Sequence, residues 1–380
     1  MDFSKRVIIV CGTGGVGKTT MSAAIAIAAA KQGKRAVVVT IDPAKRLATS
    51  LGLKSLNSDP VNLTHLLSEV KTGGEFFAVM PDTAQTFEKL IQSLSGSNSD
   101  VAGRIFKNSI YKIFTKDFSG TNEYMAMEKL NELYSKTNEA KQSEFDLIVL
   151  DTPPSVNTKF FLEAPKIFAG FFDEKIVQWF INPGSKILAI GLKKVIEVLE
   201  RVTGKGFIAE LIEFITVLFE LRTQFVENLK KISELLKKPE VSFYLVTSAE
   251  RMNKADTHDF LRLLREGGYP FEGFILNKVV GMSIFKNELN SAVEALGSNE
   301  KDAKTFFLPL IRSLEHEELV LNDLNSQTTC EVIRIAERPK DIHTIQALND
   351  LSDDLLRSSS ANASSGKKKD SISSLSSRRN

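Results

Sequence analysis

The chain has only two cysteines, Cys11 and Cys330, too far apart in sequence for a C-x-x-C pair, a zinc knuckle or a disulfide framework. A reducing compartment is the expectation. Neither sign of charge dominates: 49 Lys and Arg stand against 47 Asp and Glu, a formal balance of +2, which argues against a general attraction to nucleic acid or anionic membrane. The four histidines, His65, His258, His316 and His343, share no ligand spacing, so ordinary core or surface positions are expected for them. No uncharged apolar run approaches the ~20 residues that span a bilayer, and no apolar leader precedes the first strand. Internal repeats are also missing. These absences give the expectations of no integral membrane segment, no nucleic-acid partner and a cytoplasmic location.

What is there begins at residues 12 to 20, Gly12-Thr13-Gly14-Gly15-Val16-Gly17-Lys18-Thr19-Thr20, between the apolar run Val7 to Cys11 and the alanine-rich stretch Met21 to Ala30. The order is strand, glycine turn, helix start. Gly12, Gly17, Lys18 and Thr19 fit the P-loop spacing, in which backbone N–H groups curl around phosphates, the lysine reaches the terminal phosphates and the hydroxyl binds Mg²⁺. The positive end of the following helix adds to the same spot. A nucleoside triphosphate is the expected ligand.

Further strands are expected at Ala36 to Ile41, Phe76 to Met80, Phe145 to Leu150, Val241 to Thr247 and Gly273 to Asn277, each β-branched or nearly continuously apolar as buried parallel strands are. One more strand is expected at Thr305 to Leu308, closed by Pro309, and a C-terminal helix from about Thr328 to Leu356, interrupted near Pro339. Between Ala164 and Lys238 the character changes. Phe168, Phe171, Phe172, Ile176, Trp179 and Phe180 share one helical face, a second amphipathic segment follows, and a third, Phe207 to Leu221, is apolar almost all round with Glu210, Glu213 and Glu220 as a narrow polar strip. The expected fold is α/β, a P-loop domain with a mostly parallel sheet flanked by helices, formed by residues 1–163 and 241–357. A helical insertion occupies 164–240, and the polar Ser- and Lys-rich stretch 358–380 is expected to be a disordered tail.

Two aspartates end apolar strands, at the carboxyl edge where ligands of parallel sheets bind. Asp151 fits the position that holds Mg²⁺, directly or through a water, together with Thr19. Asp42 is a candidate to orient the attacking water, since phosphoryl transfer needs in-line positioning more than a strong base.

With Thr40-Ile41-Asp42-Pro43-Ala44, Asp151-Thr152-Pro153-Pro154 and Phe161-Leu162-Glu163-Ala164-Pro165 in order after the P-loop, the chain resembles the ArsA-type ATPases. That family includes the arsenite-pump ATPase and the eukaryotic targeting ATPase for tail-anchored membrane proteins. The resemblance covers roughly residues 5 to 350. It implies ATP and Mg²⁺, a homodimer with nucleotide near its interface, Asp42 and Lys18 as catalytic residues, and switch loops at Asp42 and Asp151. It also places Asn277 against the adenine edge, with Pro309 among the nucleotide-contacting residues. The pair Asn277-Lys278 is not a guanine motif, because position 280 is Val280 rather than an aspartate.

The chain departs from the family pattern at Thr13, where the family carries a second lysine that crosses the dimer. Lys45 and Arg46 are candidates to replace it. The cysteine cluster of arsenite activation and the zinc-clamping cysteines of the targeting dimer are missing, and there is one P-loop rather than two. The insertion then separates two readings: apolar faces packed on one another form a lobe or dimer contact, whereas an open groove would hold an apolar client helix or a membrane-associated partner. A MinD- or ParA-like positioning switch, a partner-binding module with little hydrolysis, and a small-molecule kinase or amidating enzyme are the remaining classes.

Overall fold

The computed structural model describes residues 1–41, 46–152, 205–280, 301–338 and 342–358, with short breaks at 54–55, 57, 68–72, 97–98, 118–120 and 139, and a few single residues elsewhere. Asp42, Lys45, the Phe168 to Phe180 face and the stretch 359–380 lie outside the described residues.

Eight strands form one sheet: β1 Val7–Gly12, β2 Arg35–Thr40, β3 Val61–Asn62, β4 Glu75–Val79, β5 Leu147–Asp151, β6 Val241–Ser248, β7 Phe271–Val279 and β8 Glu331–Ala336. Their spatial order is β3-β4-β2-β5-β1-β6-β7-β8. All neighbours pair parallel except the two-residue β3, which runs antiparallel to β4 at the sheet edge. Strand β5 lies between β1 and β2, so the chain leaves β1, forms helix α1 (Lys18–Lys31), and returns two strands away. This crossover puts the end of β5 beside the turn that follows β1, and Asp151 stands in register with both Val10 and Thr40.

Alternation divides the sheet's side chains between two cores. Val7, Ile9 and Cys11 face one cluster, while Ile8 and Val10 face the other. On the second face lies α1, whose alanines from Ala23 to Ala30 are buried, together with Leu348, Leu351 and Leu355 of a terminal helix at 345–358. Small side chains let α1 lie close to the strands on which it packs.

After the short helix α2 Arg46–Ser50, the first face carries α3 Thr83–Ser95, α4 Ser99–Lys107, α5 Ser109–Asp117 and α6 Thr121–Ser135. Helix α3 starts where Asp82 accepts a hydrogen bond from the Gln85 amide at 2.8 Å, an N-cap that satisfies an otherwise orphan donor. The described part of the insertion, α7 Lys205–Glu220 and α8 Arg222–Leu235, joins this core through Phe214, Val217, Leu218, Phe225, Leu229 and Ile232. Its polar strip is also engaged. Asn108 donates to the Glu210 carbonyl at 2.9 Å, Ser109 bonds the Glu210 carboxylate, and Arg104 pairs with Glu220 at 3.0 Å. From Phe207 onward, then, the apolar faces of these two helices are packed against neighbouring helices, and the expected groove is not placed, because most of residues 164–204 lie outside the described residues.

Two expectations are corrected. Residues 305–308 are not a strand: they belong to the long helix Lys301–Gln327, which carries Pro309 inside it. The last strand is instead Glu331–Ala336, within the stretch expected to be helical. Its burial alternates, with Ile333 and Ile335 inside and Arg334 and Ala336 outside, as an edge strand requires.

Candidate nucleotide-binding site

Three glycines of the P-loop adopt conformations that L side chains avoid: φ is 152° at Gly12, 78° at Gly15 and 92° at Gly17. Two of them are also sterically closed. A Cβ on Gly12 would stand 2.2 Å from the Val246 carbonyl oxygen, and one on Gly17 would stand 2.6 Å from Asn277 Nδ2. Gly17 is the N-cap of α1 and offers no side-chain acceptor to the first helical N–H groups, and no acidic residue sits in the first turn. The helix start therefore presents backbone donors and positive dipole to an anion, the role that phosphate takes at such loops.

Lys18 is 8% exposed, and its Nζ donates to the Thr13 carbonyl at 2.8 Å, so the ammonium group is folded over the loop it serves. Asp151 is buried at the end of β5. Its Oδ2 accepts hydrogen bonds from Thr19 Oγ1 at 2.7 Å and from Thr40 Oγ1 at 2.8 Å. The backbone amide and hydroxyl of Thr152 both reach the Val10 carbonyl, at 3.2 and 2.9 Å, and lock the strand end against β1. Hydroxyl and carboxylate oxygens converging beside a phosphate cradle form the kind of hard-donor set that suits Mg²⁺, which is held by one or two carboxylates plus phosphate. Thr19 and Asp151 are the residues that would hold it.

Asn277 ends up closer to the P-loop than expected. Its Nδ2 donates to the Val16 carbonyl at 2.8 Å from across the molecule, so it braces the loop while lining the cavity beside it. That cavity, of about 350 Å³, opens at Gly15, Gly17 and Thr20 and is walled by Lys278, Ile335, Glu337, Arg338, His343 and Leu351. Lys278 sits at φ 59°, a left-handed conformation in a non-glycine residue at the strand end facing the cavity. Pro309 is exposed within the helix Lys301–Gln327 and is not among the described residues that line this cavity. The proline that follows the last strand in sequence is Pro339, outside the described residues. His343 proves to be a cavity-wall residue, whereas His316 bonds the Ala249 carbonyl at 2.9 Å. Gly14, Val16 and Thr20 lie within the loop and helix start as expected.

The sequence reading missed Thr40 and Arg251. Thr40 ends the strand before Asp42, and only the sheet order brings it to Asp151. Arg251, in a short 3₁₀ turn after β6, donates from Nη1 to the Gly14 carbonyl at 3.4 Å. Arg46 opens the short helix Arg46–Ser50. Cys11 is fully buried, which pushes its thiol up to about 12, and it does not approach the partly exposed Cys330 in sequence or burial. Among the described residues no group of three or more His, Cys, Asp or Glu is arranged to hold a metal, and no helix is long and apolar enough to cross a membrane.

A mostly parallel sheet whose first strand feeds a glycine cradle, with lysine, hydroxyl and a strand-end aspartate around it, defines a P-loop nucleotide-binding protein. Residues 5–304 match the anion-transporting ATPase family, the ArsA ATPases, and the chain belongs to it. It is 23% identical over 317 residues to a candidate arsenical pump-driving ATPase of Aquifex aeolicus, covering 80% of this chain and 90% of that protein. Similarity to the ATPase asna-1 of Caenorhabditis elegans is 24% over 282 residues, 72% of this chain and 74% of that one. The match to the ATPase GET3 of Candida glabrata is 26% over 169 residues, 44% and 47% of the two chains. The protein is an ATP-binding ATPase.

Proposed function

We propose that the protein is a Mg²⁺-dependent homodimeric ATPase whose nucleotide-driven closure is coupled to handling a partner or a hydrophobic client segment. The observation that carries the ATPase part is the convergence of Thr19, Thr40 and Asp151 beside the glycine cradle. ATP and water become ADP and phosphate. The water oxygen forms the new bond to the γ-phosphorus, the β,γ-bridging oxygen leaves with the electron pair of the bond that breaks, and of the water's two protons one stays on the phosphate and the other passes to solvent. Backbone N–H groups of Gly15, Val16 and Gly17 bind the phosphate oxygens. Lys18 exchanges the Thr13 carbonyl for a phosphate oxygen. Mg²⁺, when bound, spreads the charge of the terminal phosphates. Asp42 orients the attacking water, and Asn277 and the cavity wall at Lys278 and Ile335 hold the adenosine.

The client part rests on the relatives and on the large helical insertion. Driving an arsenical pump, as the name of the Aquifex relative has it, is the second reading. Against it stand the buried Cys11, with its thiol pushed up to about 12, and a second cysteine far away in sequence. The test is steady-state ATPase activity with and without Mg²⁺, and molar mass by light scattering with and without ATP, on the wild type and on Lys18→Ala. Loss of the lysine is expected to lower turnover by about 10²-fold or more. Enrichment of apolar helices from detergent-solubilised membranes by an Asp42→Asn variant locked with ATP supports the client reading. A monomer that hydrolyses ATP at the same rate with or without Mg²⁺ and enriches none of them overturns it.

A further inference from the structure

We propose that Arg251 is a catalytic residue of this ATPase, its guanidinium engaging the γ-phosphate end of bound ATP from the outer side of the P-loop. Nη1 already lies 3.4 Å from the Gly14 carbonyl oxygen. The neighbouring glycine makes room for it, since a Cβ on Gly15 would stand 3.4 Å from Arg251 Cζ. The other described cations at the site, Lys278 and Arg338, wall the cavity on the Asn277 side rather than the outer side of the loop. Lys18 is buried within the loop, and Thr13, which lines a small cavity with Thr247 and Arg251, keeps a buried hydroxyl rather than a charge. No carboxylate among the described residues stands within ion-pair distance of Arg251, the candidate being Asp256, which lines the same small cavity.

The turn that carries Arg251 is fixed from behind. His316, on the long helix Lys301–Gln327, bonds the Ala249 carbonyl at 2.9 Å, and the next residue, Glu317, accepts the Val280 amide at 2.6 Å. One helix thus holds both the turn after β6 and the end of β7, the two segments that flank the P-loop on the side of Arg251 and Asn277. Lys254, just beyond the turn, pairs with Asp323 of the same helix at 2.9 Å. The backbone of Arg251 is held while its side chain stays exposed, the combination a guanidinium needs to move a short distance onto a phosphate. As the β,γ bond breaks, negative charge spreads over the γ-phosphoryl oxygens and the bridging oxygen, and a planar five-donor cation stabilises that distribution better than it does the ground state.

The proposal rests on ATP hydrolysis by this chain, so its test separates the two. Full-length wild type, Arg251→Ala and Arg251→Lys are compared for single-turnover hydrolysis and for affinity toward ADP and a β,γ-imido ATP analogue. Arg251→Ala is expected to slow the chemical step by about 10²-fold or more, to weaken the analogue and to leave ADP affinity within a factor of about two; Arg251→Lys restores part of the rate. Should Arg251→Ala melt below the wild type, Arg251→Gln, which keeps the stem and a donor, takes its place. An unchanged rate, or equal loss of ADP and analogue affinity, overturns the proposal and leaves Arg251 a brace of the loop. If the wild type does not hydrolyse ATP, the ATPase reading fails, and the ratio of analogue to ADP affinity alone decides Arg251.

Discussion

Asp151 and Glu128 are both carboxylates withdrawn from water, and their partners give them opposite uses. Asp151 accepts two hydroxyl donors and sits where a cation would complete its shell. Glu128, on α6, accepts from Asn228 Nδ2 of α8 at 2.6 Å, with Asn131 and Tyr124 also bonded to it, and ties α8 to α6. Burial raises the Glu128 pKa above its ordinary value, and the nearby Glu132 adds to the rise while Asn228 opposes it. A carboxyl raised in the folded state contributes stability fully below its unfolded value near 4.5 and loses that contribution as pH climbs through the folded value. Glu128→Gln keeps an acceptor for Asn228 without the charge, so it is expected to stabilise the fold by roughly 1 kcal/mol at neutral pH and hardly at all near pH 4. Urea midpoints at the two pH values check this; a difference that does not change with pH would show that the charge is not what Asn228 compensates. At this scale the sequence made the cradle, Lys18, Thr19 and Asp151 legible because they are local patterns. Thr40, the Asn277 brace and Arg251 were not, since each depends on contacts across more than a hundred residues that only the strand order supplies.

The elements were legible wherever the period of the pattern was unopposed. Continuous β-branched runs gave β1, β2, β5 and β6 within a residue or two, because a buried parallel strand needs apolar side chains on both faces. The C-terminal half misled for a specific reason: Thr305-Phe306-Phe307-Leu308 before a proline has the composition of a closing strand, whereas Glu331-Val332-Ile333-Arg334-Ile335-Ala336 mixes strand and helix formers. In the structure the proline stands inside a helix, where it removes one backbone donor and crowds the preceding turn. Pro309 is exposed, so replacing it leaves no cavity. Pro309→Ala is therefore expected to stabilise the protein by up to about 3 kcal/mol and to leave ATP affinity unchanged. Denaturant midpoints and nucleotide titrations measure the two effects. A loss of ATP affinity would return Pro309 to the nucleotide site.

Across the whole molecule, the site draws on both ends of the chain. Gly15 and Gly17 come from the loop between β1 and α1, Asn277 and Lys278 from β7, Ile335 from β8, Arg338 from just beyond it and Leu351 from the terminal helix. Leu351 belongs at once to the cavity wall and to the core beneath α1, with Leu348 and Leu355 beside it. Lys31 at the end of α1 reaches the same helix, donating to Asp353 at 2.6 Å and to the Asn349 carbonyl at 3.0 Å. Nucleotide filling this cavity ties the C-terminal helix to the P-loop as well as to α1. Binding to the folded state alone stabilises it by about 2.7 kcal/mol when ligand stands at a hundred times Kd, and local openings that break the cavity wall are suppressed by up to the same amount. Amide hydrogen exchange in residues 345–355 is therefore expected to slow by up to about a hundredfold in saturating ATP analogue, while α8, on the opposite face of the sheet, slows far less. Equal slowing in both helices would mean that the ligand acts only through global stability, and no slowing at 345–355 would place the nucleotide outside the cavity walled by Leu351.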